Sequence, residues 1–268
     1  MLFLRRLLAL FALVATPVAA EVRSAEQAFD AGGGRMVTVE ALGRGGAARG
    51  VVVFSHGAFS SPAKYHALTR RWADAGYLVL APLHADSSDW KGAKPAMAEQ
   101  LGWRLADMKA ALAAAPVLAG RLGVRLGAAR YHAAGHSFGA LVAMLTDDPR
   151  LVSVLAFSPP GAVPGLPPVT MSRPLLSVTG TADVVPMMAP RWQDHLSAHR
   201  SATGPALAYV GTGADHYFGG IYCRPELPGP RAEAPFAEAV AISLAFLNNP
   251  ARATRIRVSA GTVETRGL

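Results

Sequence analysis

The sequence predicts an α/β protein: a mostly parallel, doubly wound sheet with helices on both faces and no large cap domain. Three observations carry that expectation. From Val51 onward, short apolar runs alternate with longer helix-like stretches, and the apolar runs are hydrophobic throughout instead of at every second position. One of them, Tyr131-His132-Ala133-Ala134, passes through Gly135-His136-Ser137-Phe138-Gly139 into the apolar stretch 140–145. Alternation implies parallel strands joined by crossover helices. Continuous hydrophobicity implies strands buried on both sides, which such a sheet provides.

Taken in order, the run Val51-Val52-Val53-Phe54 reads as a strand, 62–75 as a helix and Tyr77-Leu78-Val79-Leu80 as the next strand. A helix over 95–118 leads to the Tyr131 strand and the helix 140–145, after which 152–157 and 175–178 read as strands. A helix near 190–199, a strand at 206–210 and a helix over 232–247 complete the domain. Upstream, 26–29 and 35–42, joined by Gly32-Gly33-Gly34, read as an antiparallel pair that extends one edge. The segment 158–174 holds six prolines, so it cannot form a helical cap of any length and the site is expected to be open.

With 268 residues, 51% of them hydrophobic and 16% charged, the chain has material for one sizeable core, placed at 21–250, with 251–268 as a C-terminal tail or short hairpin. Residues 1–20 carry Arg5 and Arg6, an apolar run over 7–14 and Val18-Ala19-Ala20, the pattern of a secretory signal peptide cleaved near Ala20. A periplasmic or secreted product is therefore expected. The apolar run is shorter than the ~20 residues that span a bilayer, so the mature chain is expected to hold no stable membrane span. Cys223 is the single cysteine, which excludes an internal disulfide. The formal net charge is +8, but the basic residues are scattered, so no nucleic-acid partner is expected. Gly43-Arg44-Gly45-Gly46 precedes a strand instead of following one and reads as a plain loop, not a dinucleotide site. No zinc signature or phosphate loop appears, so neither metal nor cofactor is expected.

Gly-x-Ser-x-Gly between strand and helix is the context of a nucleophile elbow, where a sharp turn holds the serine hydroxyl clear of the backbone. Ser137 then needs an imidazole to take its proton and a carboxylate to orient that imidazole. Asp183, after the strand 175–178 and Gly180-Thr181-Ala182, and His216, after the strand 206–210, stand at strand ends in the order serine, acid, histidine. Asp86 is a rival for the acid, at the end of the Leu78 strand, whereas Asp215 adjoins His216 and its side chain is expected to diverge. His136 is expected to pack beneath the elbow and His195 to occupy an ordinary helix position. The N–H of Phe138 and that of Ala58, in Ser55-His56-Gly57-Ala58-Phe59, are the expected oxyanion donors. Phe59, Trp90, Met187, Met188, Tyr217 and Phe218, beside these loops, are expected to line the substrate pocket.

Together, His56-Gly57, the pentapeptide 135–139, Gly180-Thr181-Ala182-Asp183 and Asp215-His216 resemble the α/β-hydrolase superfamily over residues 51–247. The flavour is similar to bacterial dienelactone-hydrolase-like and platelet-activating-factor-acetylhydrolase-like esterases. The resemblance implies hydrolysis of small-molecule or lipid-like carboxylic esters of short to medium acyl length, through an acyl-enzyme and without a cofactor. Serine at 137 departs from dienelactone hydrolases proper, which use cysteine. Cutinase-like polyester hydrolysis, and acyltransferase or perhydrolase chemistry on the same triad, remain open alternatives, and a non-catalytic binding protein of this fold is a further one.

Overall fold

In the computed structural model, which describes residues 21–163 and 165–268, the chain is organised around a nine-stranded sheet. The segment read as a signal peptide, 1–20, lies outside the described residues. In chain order the strands are β1 (Arg23–Asp30), β2 (Met36–Gly43), β3 (Gly46–Ala47), β4 (Gly50–Ser55), β5 (Leu78–Pro82), β6 (Val124–Arg125), β7 (Arg130–His136), β8 (Leu151–Phe157), β9 (Leu175–Gly180), β10 (Ala206–Gly211) and β11 (Gly261–Arg266). The helices are α1 (His66–Asp74), α2 (Gln100–Leu122), α3 (Phe138–Leu145), α4 (Ser197–Ser201), α5 (Glu233–Asn248) and α6 (Pro250–Ala253). No helix of the described residues is long and apolar enough to cross a membrane.

The sheet order is β1-β2-β5-β4-β7-β8-β9-β10-β11, and the short β3 and β6 pair separately. The block from β5 to β10 is parallel, with β2 and β11 antiparallel at its two sides and β1 antiparallel to β2. Every residue of β4 is buried, as its unbroken apolar run requires. Its side chains divide by parity: Val51 and Val53 pack in one core with residues of α2 and α3, while Val52 and Phe54 pack in the other with α1 and α5. Trp72 ties α1 to α5, its indole N–H donating to Ser243 Oγ at 2.9 Å.

Four elements differ from the sequence expectation, one being the helix placed near 190–199, which is a 3-10 turn over Trp192–Leu196 followed by the five-residue α4. The helix placed at 62–75 begins as a 3-10 turn, Pro62–Tyr65, because proline suits a first turn that needs no donor. The helix placed at 95–118 starts five residues later and runs through Pro116 to Leu122. Proline at 116 cannot donate to the carbonyl of Leu112, and the Arg150 guanidinium donates to that oxygen instead, at 3.3 Å. The segment 251–268, read as a tail or short hairpin, completes α6 and supplies β11, which pairs with β10 along its whole length. The proline-rich stretch after β8 contributes no helix among its described residues, so no helical cap arises from it.

Candidate active site

Ser137 sits between β7 and α3 at φ 56° and ψ −123°, left-handed backbone that a side chain rarely adopts. Two contacts over-determine it: its N–H donates to the Phe157 carbonyl at 2.8 Å, and its own carbonyl accepts from Ala140 at 2.9 Å. The flanking glycines are steric requirements. A methyl group on Gly135 would run into the Gly139 carbonyl, and one on Gly139 into the carbonyl of Ser55.

Asp183 and His216, thirty-three positions apart, are brought together because β9 and β10 are adjacent and parallel, so their following loops emerge side by side. His216 Nδ1–H donates to Asp183 Oδ1 at 2.8 Å, and Thr179 Oγ1–H donates to the other carboxylate oxygen at 2.9 Å. A second imidazole, that of His195, places Nε2 2.9 Å from the same Oδ1, though too obliquely for a hydrogen bond. Burial pushes the Asp183 carboxyl up, but the two imidazoles outweigh it and hold the group far below the usual carboxylate range. Asp183, His195 and His216 converge within 4.8 Å of one another. Their closest atoms touch at 2.8 and 2.9 Å, inside the roughly 3.3 Å that separates two ligands on a tetrahedral ion, so these are direct contacts between the side chains.

His136 does more than pack beneath the elbow. Its Nε2–H donates to the His216 carbonyl at 2.9 Å, its Nδ1 accepts from the Tyr65 hydroxyl at 2.8 Å, and that hydroxyl accepts from the Gly57 N–H at 3.0 Å. The chain fixes the tautomer, since one ring nitrogen must donate to a carbonyl while the other accepts. Burial first, then the nearby His216, lowers the His136 pKa well below the imidazole range and keeps it neutral. The loop after β4 is thereby linked to the loop that carries His216.

Asp86, the rival acid, serves a different partner. Arg104, 1% exposed, donates from Nε and Nη2 to its two carboxylate oxygens at 2.8 Å each, and from Nη1 and Nη2 to the carbonyls of His56 and Gly57 at 2.6 and 3.1 Å. Asp86 also accepts from the Phe59 N–H at 3.2 Å. Burial raises the Asp86 carboxyl, yet the Arg104 hydrogen bonds prevail and bring it to about 2. The N–H groups of Gly57 and Phe59 are thus committed, and Ala58 between them lines the same cavity as Ser137. Phe138 opens α3, so its N–H has no intrahelical acceptor, and its ring lies 4.8 Å beneath the Arg104 guanidinium.

The cavity has a volume of about 470 Å³, and Ser137, His216, Ala58, Phe59 and Tyr217 line it, with Lys64 and Arg224 on its polar side. Four residues expected in the lining lie elsewhere. Phe218 is fully buried among Tyr222 and Phe236, because its left-handed backbone, φ 52°, turns it into the core. Trp90 folds back on its own loop, donating to the Ala93 carbonyl at 3.0 Å. Met188 lines a neighbouring cavity with Pro190 and Arg191, and Met187, 90% exposed, projects from the turn closed by the Val185–Ala189 bridge. Cys223 reaches the cavity wall, its thiol 3.5 Å from Ser60 Oγ. Sequence reasoning missed the roles of Tyr65, His136, His195 and Arg104. Their sequence neighbourhoods carry no signal that sets them apart: Lys64 and His66 flank Tyr65, and Asp194 precedes His195.

No family model and no curated protein matches the chain. Among solved structures, an esterase of Pyrobaculum calidifontis superposes with a TM-score of 0.63 at 18% identity, over 87% of each chain. The chain has the α/β-hydrolase fold. A Klebsiella pneumoniae subsp. pneumoniae MGH 78578 protein assigned as a dienelactone hydrolase superposes at 0.60 and 17% identity, over 85% of this chain and 99% of its own. The protein TT1662 of Thermus thermophilus does so at 0.56 and 21%, over 88% of this chain and all of its own.

Proposed function

We propose that the chain hydrolyses carboxylic esters of short to medium acyl length at Ser137, through an acyl-enzyme. The observation that carries this reading is the Asp183–His216 hydrogen bond beside a left-handed Ser137 in one open cavity. With Nδ1–H given to Asp183, His216 keeps Nε2 as the base. Ser137 Oγ attacks the ester carbonyl carbon while Nε2 takes its proton, and the anion on the former carbonyl oxygen receives the N–H groups of Phe138 and Ala58. Collapse expels the alcohol, which takes the proton from His216. Water, deprotonated by the same nitrogen, then releases the acid and restores Ser137. Esterase and dienelactone hydrolase names among the structural neighbours agree with this chemistry. A panel of nitrophenyl esters of graded chain length, with Ser137→Ala as control, tests it: we expect a loss of at least about a thousandfold in kcat and fluorophosphonate labelling that maps to Ser137. Turnover or labelling that survives the substitution overturns the reading.

A second reading has its own observation. Phe59 is 60% exposed at the cavity, and Val184 and Met187, beside the lining residue Val185, are 52% and 90% exposed. Exposed apolar side chains beside the cavity suit an insoluble or polymeric ester, and release of acid from a polyester film distinguishes this from action on dissolved esters alone. We also propose export, from the pattern of residues 1–20; a mature N-terminus at Glu21 in the extracytoplasmic fraction is the expected result.

A further inference from the structure

His195 is 1% exposed, and both its ring nitrogens face oxygen acceptors. Nδ1 lies 2.6 Å from the Pro159 carbonyl, which can only accept, so Nδ1 carries a hydrogen. Nε2 lies 2.9 Å from Asp183 Oδ1, and Asp183, already accepting from His216 and Thr179, is a carboxylate. A neutral ring would set a bare nitrogen lone pair against that oxygen. An imidazolium instead sets positive charge 2.9 Å from that carboxylate, an ion pair that needs no hydrogen-bond alignment, while its Nδ1–H is held by the Pro159 carbonyl.

We propose that His195 is a buried imidazolium that offsets the charge of Asp183, the carboxylate that orients His216, a positioning and charge-setting role outside the serine–histidine–acid set. The inference rests on the ester-hydrolase reading of the same site. The groups that face His195 are Asp183 from the loop after β9, His216 from the loop after β10, with ring centroids 5.8 Å apart, neutral His136 at the end of β7, and Asp194 on its own turn, which Arg191 already pairs at 2.8 Å. Burial opposes a charge on His195, and the Asp183 carboxylate overcomes it, raising the ring above the ordinary imidazole range. A positive charge 5.8 Å away disfavours a second one on the His216 ring, opposing the attraction that the Asp183 carboxylate exerts there.

His195→Gln keeps a donor toward Asp183 and removes the charge. We expect the acid limb of kcat/KM to move up by about one pH unit, so that at pH values below both limbs the variant is about tenfold slower relative to its plateau. An unmoved limb, or one that moves down, overturns the proposal. A measurement on the unaltered protein needs no variant to fold: nitrogen-15 spectra of the histidine rings at pH 7 should show both nitrogens of His195 protonated, and one bare nitrogen overturns it equally. If the unaltered protein shows no Ser137-dependent turnover, it is the hydrolase reading that fails, and the nitrogen spectra still decide the charge on His195.

Discussion

At Ser137 the protein holds a non-glycine residue in backbone that costs of order 1–3 kcal/mol, and the hydrogen bonds to Phe157 and Ala140 keep it there. Ser137→Gly should therefore raise thermal stability, by about 1 kcal/mol, while abolishing turnover, whereas Ser137→Ala keeps the strain and loses only the hydroxyl. Thermal unfolding of the two variants beside the parent checks this; a glycine variant no more stable than the alanine one would contradict it. A second serine shows what else the role proposed for Ser137 needs. Ser55 Oγ lies 2.8 Å from His84 Nε2, and His84 Nδ1 lies 2.8 Å from Asp107 Oδ2, the same residue types in the relation proposed for Ser137, His216 and Asp183, yet all three are 0% exposed. Hydrogen-bond pattern without a cavity gives a sealed polar network, which, with Arg104, anchors the loop that bears Ala58.

The elbow depends on how closely β4 and α3 approach. Gly139 lies against the Ser55 carbonyl at the end of β4, so a side chain at 139 must push the helix off the sheet or bend the loop after β4. Gly139→Ala is expected to cost about 2–3 kcal/mol, the usual penalty of overpacking, and to lower kcat more than it raises KM, because the displaced group is the α3 N-terminus that carries the Phe138 N–H. Chemical denaturation and steady-state kinetics read the two effects; a variant of parental stability and kcat would contradict the steric argument. Elements were also where the sequence was most legible. Buried parallel strands announce themselves by unbroken apolar runs, and the elbow by glycines whose spacing is a local steric need. The extent of α2 was not, because what completes the helix across Pro116 is Arg150, a residue distant along the chain. The same reason hid His195 and Arg104, whose partners are supplied by other loops, and misplaced Phe218, whose direction is set by one backbone angle.

Across the molecule, His56, His84, His132 and His136 are buried and have pKa values below the ordinary range because burial disfavours their charge, His132 reaching about 3. The unfolded chain binds these protons below about pH 6.5 and the native one does not, so stability is lost as pH falls through that value. Each such ring contributes up to about 1.4 kcal/mol per pH unit. Asp107 opposes this: burial raises it to about 6, so the native state takes up its proton between about pH 6 and 4 and regains part of the loss. The histidines outnumber it. We expect a calorimetric Tm lower by about 10 °C at pH 5 than at pH 7.5, and a Tm that is flat or rising toward acid would contradict the buried-histidine account.

The pairing of β11 with β10 has a consequence for handling the protein. All six residues of β10 are buried, and its outward row of amide and carbonyl groups is covered by a strand that arrives only after α5 and α6 have been laid down. Trimming the polypeptide at the end of α6 would bare that row as a template for another molecule's strand, so the shortened protein should self-associate more than the parent. On β11 itself Thr262, Glu264 and Arg266 are exposed, and their polar and charged character discourages such stacking.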